Sequence, residues 1–464
     1  MEPIVFKTEH NNCYLYSPFK KTLIPIPLSL YDTILNQRES DDTILLNLKR
    51  NGYLETWNDT FEGVVDEETI KDVVINLSQV VFETTTLCNL RCEYCCYGDG
   101  YSTFDKRREQ NGLLIFDTAK IILDYLHTVF SRINTSTAPK EPFAISFYGG
   151  EPLMNFNVIK DIVEYAENLN FQNRIVTFTM TTNATLLAKY ADFLQSHKFK
   201  LLISLDGDRT HDAYRKTITG KESFDVVIAN LEKVKAKYPN WFSTFRFNAV
   251  YTNISNIEEI VPWFKDKFNK VPNFSPLHTP TVGSAGYGKI LKMLANFEVP
   301  ESLMFDEDLI AQNPINKRVL DLYNNLFSNT IKKENQLAEG TNTIPTGTCI
   351  PFSKRMFVSY DGKLHPCEKV NRDFPLGEIK DGQVKIDYKK NAEVFMSKIL
   401  AQKPICQKCY LQMCCTKCLY CLDSEVCDDF MSKSTFSVLL AETLSYIEQH
   451  PNIVTLLKEN IIIK

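Results

Sequence analysis

The sequence predicts an α/β fold: a partial (β/α)6 barrel of the TIM type, preceded by a winged-helix-like module and followed by a cysteine-rich iron–sulfur domain. Three observations carry this expectation. From residue 76 onward, short β-branched and aromatic runs alternate with stretches whose apolar residues recur every three or four positions, the pattern of parallel strands joined by helices. Before residue 76 the elements are shorter and do not follow that alternation. After residue 346, nine of the fourteen cysteines lie close together among turns.

In chain order, CYLYSP and KTLIPIPLSLYDTIL predict a hairpin running into a helix, and DTILLNLKRNGYLE a second helix followed by a strand. Residues 1–75 therefore read as a small winged-helix-like module, or more simply as an extension of the next domain. The runs VVINLSQVVFETT, FAISFYGG, IVTFTMTTN, LLISLDG and FRFNAVYTN, with a weaker sixth in FSPLHTPTV, predict the strands of a core over 76–290. NVIKDIVEYAENL, LLAKYADFLQSH, FDVVIANLEKVKAKY and IEEIVPWFKDKF predict its helices. Six units are too few to close an eight-stranded barrel. In such architectures the chemistry sits in the loops after the strand C-termini. LANF, MFDEDLIAQ and KRVLDLYNNLFSNTIKK predict a helical bridge over 291–345, ending in the polar linker EGTNTIPTGT. The cysteine-rich domain spans 346–430, and one or two amphipathic helices fill 431–464.

Bulk properties exclude several classes. The 464 residues suffice for more than one domain. Fifty-two basic against 57 acidic side chains give a net charge of −5, which argues against nucleic acid as a partner. No run of about 18 apolar residues offers a membrane span. The opening MEPIVFKTEHNN has no apolar signal core, so a cytoplasmic protein is expected.

In a reducing compartment, clustered cysteines read as metal ligands rather than disulfides. Cys88, Cys92 and Cys95 stand as CNLRCEYC, directly after the first core strand. Three closely spaced thiolates can hold an iron–sulfur cluster and leave one iron open for chemistry, whereas an electron-transfer cluster normally has a fourth. For the late group zinc is a rival, because CxxC pairs serve it equally well. Cys13 and Cys96 read as plain buried thiols.

Polar residues follow the other strands in turn. Gly149, Gly150 and Glu151 stand in GGEP, Thr182 and Asn183 end the third strand, and Ser204 and Asp206 end the fourth, with Arg215 in HDAYRK shortly after. The two glycines would let backbone approach a ligand closely. Taken in order with the triad, these motifs resemble those of the radical S-adenosylmethionine (AdoMet) enzymes over residues 76–285. The resemblance implies that Cys88, Cys92 and Cys95 hold a [4Fe-4S] cluster whose open iron is chelated by AdoMet. An electron from the cluster would then break the sulfonium–C5′ bond, and the 5′-deoxyadenosyl radical would take a hydrogen from substrate. It further implies that Gly149, Gly150 and Glu151 hold the methionine amine and Arg215 its carboxylate. Asn183 and Ser204 would face the ribose or methionine portion, and Tyr94 the adenine. Asp206 has either a cofactor role or a turn-capping one.

The late cysteines resemble the SPASM extension of that superfamily. Cys349, Gly362 and Cys367 fit its opening, with twelve and then four residues between them. Cys406, Cys409 and Cys415 fit the next part, but the following slot is then Leu419; using Cys414 shortens the gap and places Cys418 correctly. Cys427 closes either register. The resemblance implies two auxiliary [4Fe-4S] clusters, the first held by Cys349, Cys367 and Cys418, alone or with Cys421. Glu368, directly after Cys367, resembles the proton acceptor of anaerobic sulfatase maturases; the simpler reading is an ion pair with Lys369, Arg372 or another cation.

Enzymes combining these regions mostly act on peptides, and the N-terminal module resembles the leader-recognition elements of ribosomal-peptide maturases. The expected activity is a maturase that binds a precursor peptide through its leader and, fed by a reductant such as flavodoxin or ferredoxin, forges a thioether, C–C or C–O link or a related modification. The alternatives are a formylglycine-forming enzyme of the sulfatase-maturase type and a non-catalytic metal-cluster protein that binds peptides.

Overall fold

The computed structural model describes residues 1–58, 61–98, 111–131, 141–171, 174–277, 284–322, 344, 347–370, 372, 375–412, 415, 417–421, 427 and 429–461. The chain divides into two compact units, one of Val65–Pro300 with Ile350–Glu393, the other of Met1–Val64, Glu301–Cys349 and Val394–Lys464.

The smaller unit is built on an antiparallel sheet of β1 (Ile4–Lys7), β2 (Cys13–Ser17) and β3 (Thr22–Ile26), in that spatial order. Alternation along the strands gives the sheet two apolar faces. Cys13, Leu15 and Ile26 pack with Leu30, Leu45 and Leu48 from the helices Leu28–Leu35 and Thr43–Arg50. Cys13 is thus a core thiol. Ile4, Phe6 and Tyr16 pack with Phe436, Leu440 and Leu444 of the helix Lys433–Gln449. The carboxylate of Glu448 accepts from the Tyr14 hydroxyl at 2.7 Å, and Ser445 Oγ accepts from the Glu9 amide at 3.0 Å. Phe436 has no exposed surface, so Phe436→Ala is expected to cost about 3–5 kcal/mol, read as an earlier unfolding transition in thermal denaturation.

Three expectations for this region are corrected. Residues 53–55 of NGYLE form no strand; Tyr53 turns back to bond Leu48 O. The helix Glu67–Ile75 replaces the first half of the predicted strand VVINLSQVVFETT and belongs to the larger unit, so the N-terminal unit ends at Val64 rather than 75. MFDEDLIAQ is a run of turns, with Asp306 Oδ1 accepting from the Asp308 amide at 3.1 Å. The bridge residues 323–343 lie outside the described residues, as does the second half of FSPLHTPTV.

The larger unit holds one ten-stranded sheet. Its parallel strands are β4 (Gln79–Thr85), β5 (Glu141–Gly149), β6 (Arg174–Thr182), β7 (Lys200–Ser204), β8 (Arg246–Tyr251) and β9 (Asn273–Pro276), neighbours in chain order. The predicted helices appear as Phe156–Asn168, Leu187–Ser196, Phe224–Lys237 and Ile257–Phe268, joined by Phe116–Phe130. Their buried residues fall at helical spacing, for example Val158, Ile159, Ile162, Val163 and Ala166. They cover one face of the sheet, which carries Phe82, Phe143, Ile145, Phe147 and Ile203. The opposite face is polar: Gln79 Nε2 donates to Ser146 Oγ at 2.7 Å, and that hydroxyl shares a 2.6 Å bond with Thr179 Oγ1 on the next strand.

The sheet continues past β4. There β10 (Met356–Val358) pairs parallel to it, followed by antiparallel β11 (Lys363–His365), β12 (Gly377–Lys380) and β13 (Gln383–Lys385). The hairpin that delivers Cys367 and Glu368 is therefore part of the core sheet. Among the described residues no helix is long and apolar enough to cross a membrane.

Candidate active site

The site grows from the end of β4. The β4–β5 register shifts between Glu83 and Thr85, and the chain then leaves the sheet as the loop of Cys88, Cys92 and Cys95. A second loop clasps it: Arg91 N–H donates to Lys216 O at 2.6 Å, Glu93 N–H to Tyr214 O at 2.9 Å, and Leu90 bridges Thr217.

The glycines of GGEP hold this loop in place. A Cβ on Gly149 would stand 2.3 Å from Thr85 O, and one on Gly150 only 2.0 Å from Leu87 O. Their close approach is to protein backbone. The amides of Gly150 and Glu151 donate to Thr85 O and Leu87 O, each at 2.8 Å, so neither is left for a ligand. Gly150→Ala must push the start of the cysteine loop outward. We expect it to destabilise the site by about 1–3 kcal/mol and to lower the iron retained after anaerobic reconstitution.

Glu151 is 1% exposed and has the same framing role. Its carboxylate accepts from Leu153 N at 3.2 Å, Thr182 Oγ1 at 2.7 Å and Asn183 N at 2.8 Å, tying the ends of β5 and β6 together. Burial raises its pKa against these three donors. Asn183 faces the loop, with Nδ2 2.9 Å from Asn89 Oδ1 and 3.8 Å from Cys88 Sγ. Ser204 ends β7, half-buried.

Tyr94, Asp206 and Arg215 meet beneath the loop. The Tyr94 hydroxyl donates to Asp206 Oδ2 and accepts from Arg215 Nη1 at 3.1 Å, while Val250 N–H donates to Asp206 Oδ1 at 2.8 Å. Asp206 therefore ties the end of β7 to β8 and joins a buried network. Asp212, which sequence reasoning passed over although it stands in HDAYRK, completes it.

The three thiols suit a shared cluster. The Cys92 thiol is pushed up to about 12, mainly by burial, with Cys95 and Cys88 adding to the effect and Arg215 opposing it. Coordination removes such a proton outright. Leu90 N–H already donates to Cys88 Sγ at 3.4 Å, a bond that stabilises a cluster thiolate. Among the described residues no three or more His, Cys, Asp or Glu side chains converge on a single metal ion; a four-iron cluster takes its thiolates at separate corners.

The late cysteines sort into groups. Burial pushes the Cys406 thiol up to about 12, with Cys415, Cys409 and Cys427 as further causes. Met431 N–H donates to Cys409 Sγ at 3.4 Å. Cys414, the alternative to Cys415, lies outside the described residues. Cys349 is held near Cys418, because Thr348 Oγ1 donates to Lys417 O at 3.2 Å and accepts from Leu419 N at 2.8 Å. Cys367 Sγ accepts from Lys369 N at 3.4 Å. Cys421 ends the turn Leu419–Cys421, and its side chain is outside the described residues.

Glu368 is drawn toward the radical-site loop. Its backbone carbonyl accepts from the Tyr97 hydroxyl at 3.5 Å, and the Tyr97 ring packs edge-on to Tyr148 at 6.4 Å. Burial and then the neighbouring Cys96, Glu368 and Cys95 raise the Tyr148 pKa. The Glu368 carboxylate pairs with Arg355, whose Nη1 stands 3.0 Å from both oxygens. The cation is thus Arg355, not Lys369 or Arg372; Arg372 instead pairs with buried Glu83. Tyr97 and Arg355 were not anticipated. Tyr97 stands two residues after Cys95, but Arg355 has no signal apart from the fold.

Comparison with known proteins agrees with this geometry. The Radical SAM superfamily profile matches residues 82–263, and the SPASM iron–sulfur cluster-binding domain profile residues 349–410. The cysteine-type anaerobic sulfatase-maturating enzyme of Clostridium perfringens (strain 13) is 25% identical over 368 residues, 75% of this chain and 90% of that protein. The radical SAM cyclopropyl synthase TigE of Paramaledivibacter caminithermalis is 27% identical over 155 residues, 32% of this chain and 30% of that one. The solved structure of native anSMEcpe with bound AdoMet and Cp18Cys peptide superimposes with a TM-score of 0.55 at 20% identity, covering 82% of this chain and 99% of the other. The cofactors are accordingly AdoMet and a [4Fe-4S] cluster for the radical SAM domain, with auxiliary iron–sulfur clusters in the SPASM domain. The chain is a radical SAM protein with a C-terminal SPASM domain.

Proposed function

We propose that this enzyme removes a hydrogen from a residue of a peptide or protein segment and that Glu368 takes the proton which that residue then loses. The observation that carries the reading is the placement of Glu368. The β10–β11 hairpin extends the core sheet, and the Glu368 carbonyl meets Tyr97, two residues beyond the last triad cysteine. When bound, AdoMet and the clusters supply the radical and accept the electron that leaves the substrate. The chain supplies the rest. Cys88, Cys92 and Cys95 hold the radical cluster, and Arg355 fixes the carboxylate of Glu368. Flavodoxin or ferredoxin fits the role of reductant.

Two outcomes share this first step. The sulfatase-maturating relatives favour oxidation of Cys or Ser to formylglycine. The N-terminal unit favours a leader-guided cross-link, because its three-stranded sheet ends in the edge strand β3. Leu28 and Ile44, 54% and 47% exposed, lie on the helices of the same unit. Strand addition at such an edge is an established way to bind a peptide. Product mass and aldehyde trapping together separate the outcomes: a thioether, C–C or C–O link loses two hydrogens and nothing else, formylglycine from Cys also exchanges sulfur for oxygen, and formylglycine from Ser loses two hydrogens but leaves an aldehyde that a hydrazide captures. For the leader reading, Leu28→Glu with Ile44→Glu should weaken precursor binding about tenfold in anisotropy titrations and leave AdoMet cleavage intact. Unchanged binding rules out recognition through this surface.

A further inference from the structure

Two ion pairs anchor the segment that follows Cys367, and the proton transfer involves only the first. Arg355 holds the Glu368 carboxylate. Four residues on, the Arg372 guanidinium pairs with the carboxylate of Glu83 on β4. Glu83 has no exposed surface, and the Arg372 side chain is 16% exposed. A buried carboxylate in a core strand is costly even when it is paired, and an apolar side chain of similar size would fill the place without that cost. Packing therefore does not explain it. The β4–β5 register sets Val81 beside Ser146 and Glu83 beside Tyr148. Glu83 thus shares the polar face of Ser146 and Thr179, not the helix-covered face of Phe82 and Phe147. Tyr148 packs against Tyr97, whose hydroxyl donates to the Glu368 carbonyl, so Glu83 and Glu368 each adjoin one ring of that pair. The Tyr360 N–H, in the turn between β10 and β11, donates to Glu83 Oε2 at 3.2 Å. The Arg372 guanidinium lies 5.7 Å from the centre of the Tyr360 ring. One carboxylate on β4 therefore gathers the hairpin turn and the segment beyond Cys367.

We propose that Glu83 is a positioning residue: through Arg372 it fixes the segment bearing Cys367 and Glu368 against the strand that leads to the radical cluster. Glu83 stands five residues before Cys88, so one short stretch of backbone carries both the anchor and the start of the triad. Arg355 immediately precedes β10 and joins Glu368 only to its own hairpin; Glu83 joins the same segment to the core. The role rests on the reading of Glu368 given above. A carboxylate that takes a proton from a substrate residue must stand where the 5′-deoxyadenosyl radical leaves that residue, and a displacement of about 1 Å is enough to cost about a hundredfold in rate.

The test compares Glu83→Gln, Arg372→Met, Arg372→Lys and Glu368→Gln with the wild type, as full-length protein reconstituted with iron and sulfide under anaerobic conditions. The probes are a Cys-bearing peptide of the sulfatase type and the peptides encoded by short reading frames beside the gene, and the one that the wild type modifies is used. The readout is the ratio of modified peptide to 5′-deoxyadenosine. Loss of folded protein lowers both quantities together, whereas misplacement of Glu368 lowers the ratio. The ratio is expected to fall about tenfold in Glu83→Gln and Arg372→Met and to stay near wild type in Arg372→Lys, which keeps the charge. Hydrogen exchange needs no substrate. Amides of residues 367–370 should exchange about tenfold faster in Glu83→Gln and Arg372→Met, with those of β6 unchanged. Wild-type exchange in both variants overturns the proposal. A lowered ratio in Glu368→Gln beside a wild-type ratio in Glu83→Gln and Arg372→Met overturns the positioning role and leaves the reading of Glu368 standing. A wild-type ratio in Glu368→Gln overturns that reading, and the positioning role with it.

Discussion

Replacing Cys88, Cys92 or Cys95 by Ala is expected to abolish reductive cleavage of AdoMet and to remove about four irons per chain, leaving the iron on the late cysteines in place. Each thiol would occupy one corner of the same cluster, and the two thiolates left on the stretch Cys88–Cys95 give no third anchor. The loop itself should survive, because its backbone is held by Lys216, Tyr214, Thr85 and Leu87. Cys96→Ala is the control. Cys96 packs with Tyr94, Leu277, Ile290 and Met293, so its loss should leave iron content and cleavage near wild type. Iron analysis and 5′-deoxyadenosine assay on the four variants check both halves.

Glu368→Gln is expected to separate radical formation from product. AdoMet cleavage should continue, because Glu368 is not part of the triad site, while product formation falls about 10²–10⁴-fold, the scale of a lost general base. Gln preserves side-chain length and an oxygen for Arg355, so a collapse of the hairpin is not the expected cause. Time courses of 5′-deoxyadenosine and of modified peptide, run together, give the ratio. If both fall in parallel, Glu368 supports the structure of the site rather than taking the proton.

Much of this site was legible in the sequence because its chemistry is local. The cysteine spacing, GGEP, Thr182–Asn183 and SLDG each follow an apolar run, and a parallel sheet sends all such segments to one edge. What the motifs did was less legible. Gly149 and Gly150 also let the carbonyls of Thr85 and Leu87 come close, a packing role that the motif did not announce. Arg215 is buried beside Asp212 of its own motif, and only the fold brings it the Tyr94 hydroxyl. The β-branched stretch VVI looked like a strand, although the capping box of Asp66 and Thr69 and the acids Glu67 and Glu68 mark a helix start. The pairing of β10 with β4 joins segments more than 270 residues apart, and no local pattern announces it. Pairing of Glu368 with Arg355 follows from the same hairpin.

A radical made at Cys88, Cys92 and Cys95 that acts on a peptide takes a hydrogen atom from it. The most direct measurement is deuterium transfer. Reduced, reconstituted protein is given AdoMet and perdeuterated peptides, one of the sulfatase type and those encoded by short reading frames beside the gene, and the recovered 5′-deoxyadenosine is weighed. The account predicts deuterium in 5′-deoxyadenosine from one of these peptides, together with a modified residue in that peptide. 5′-Deoxyadenosine formed at an unchanged rate and free of deuterium with every peptide would contradict it.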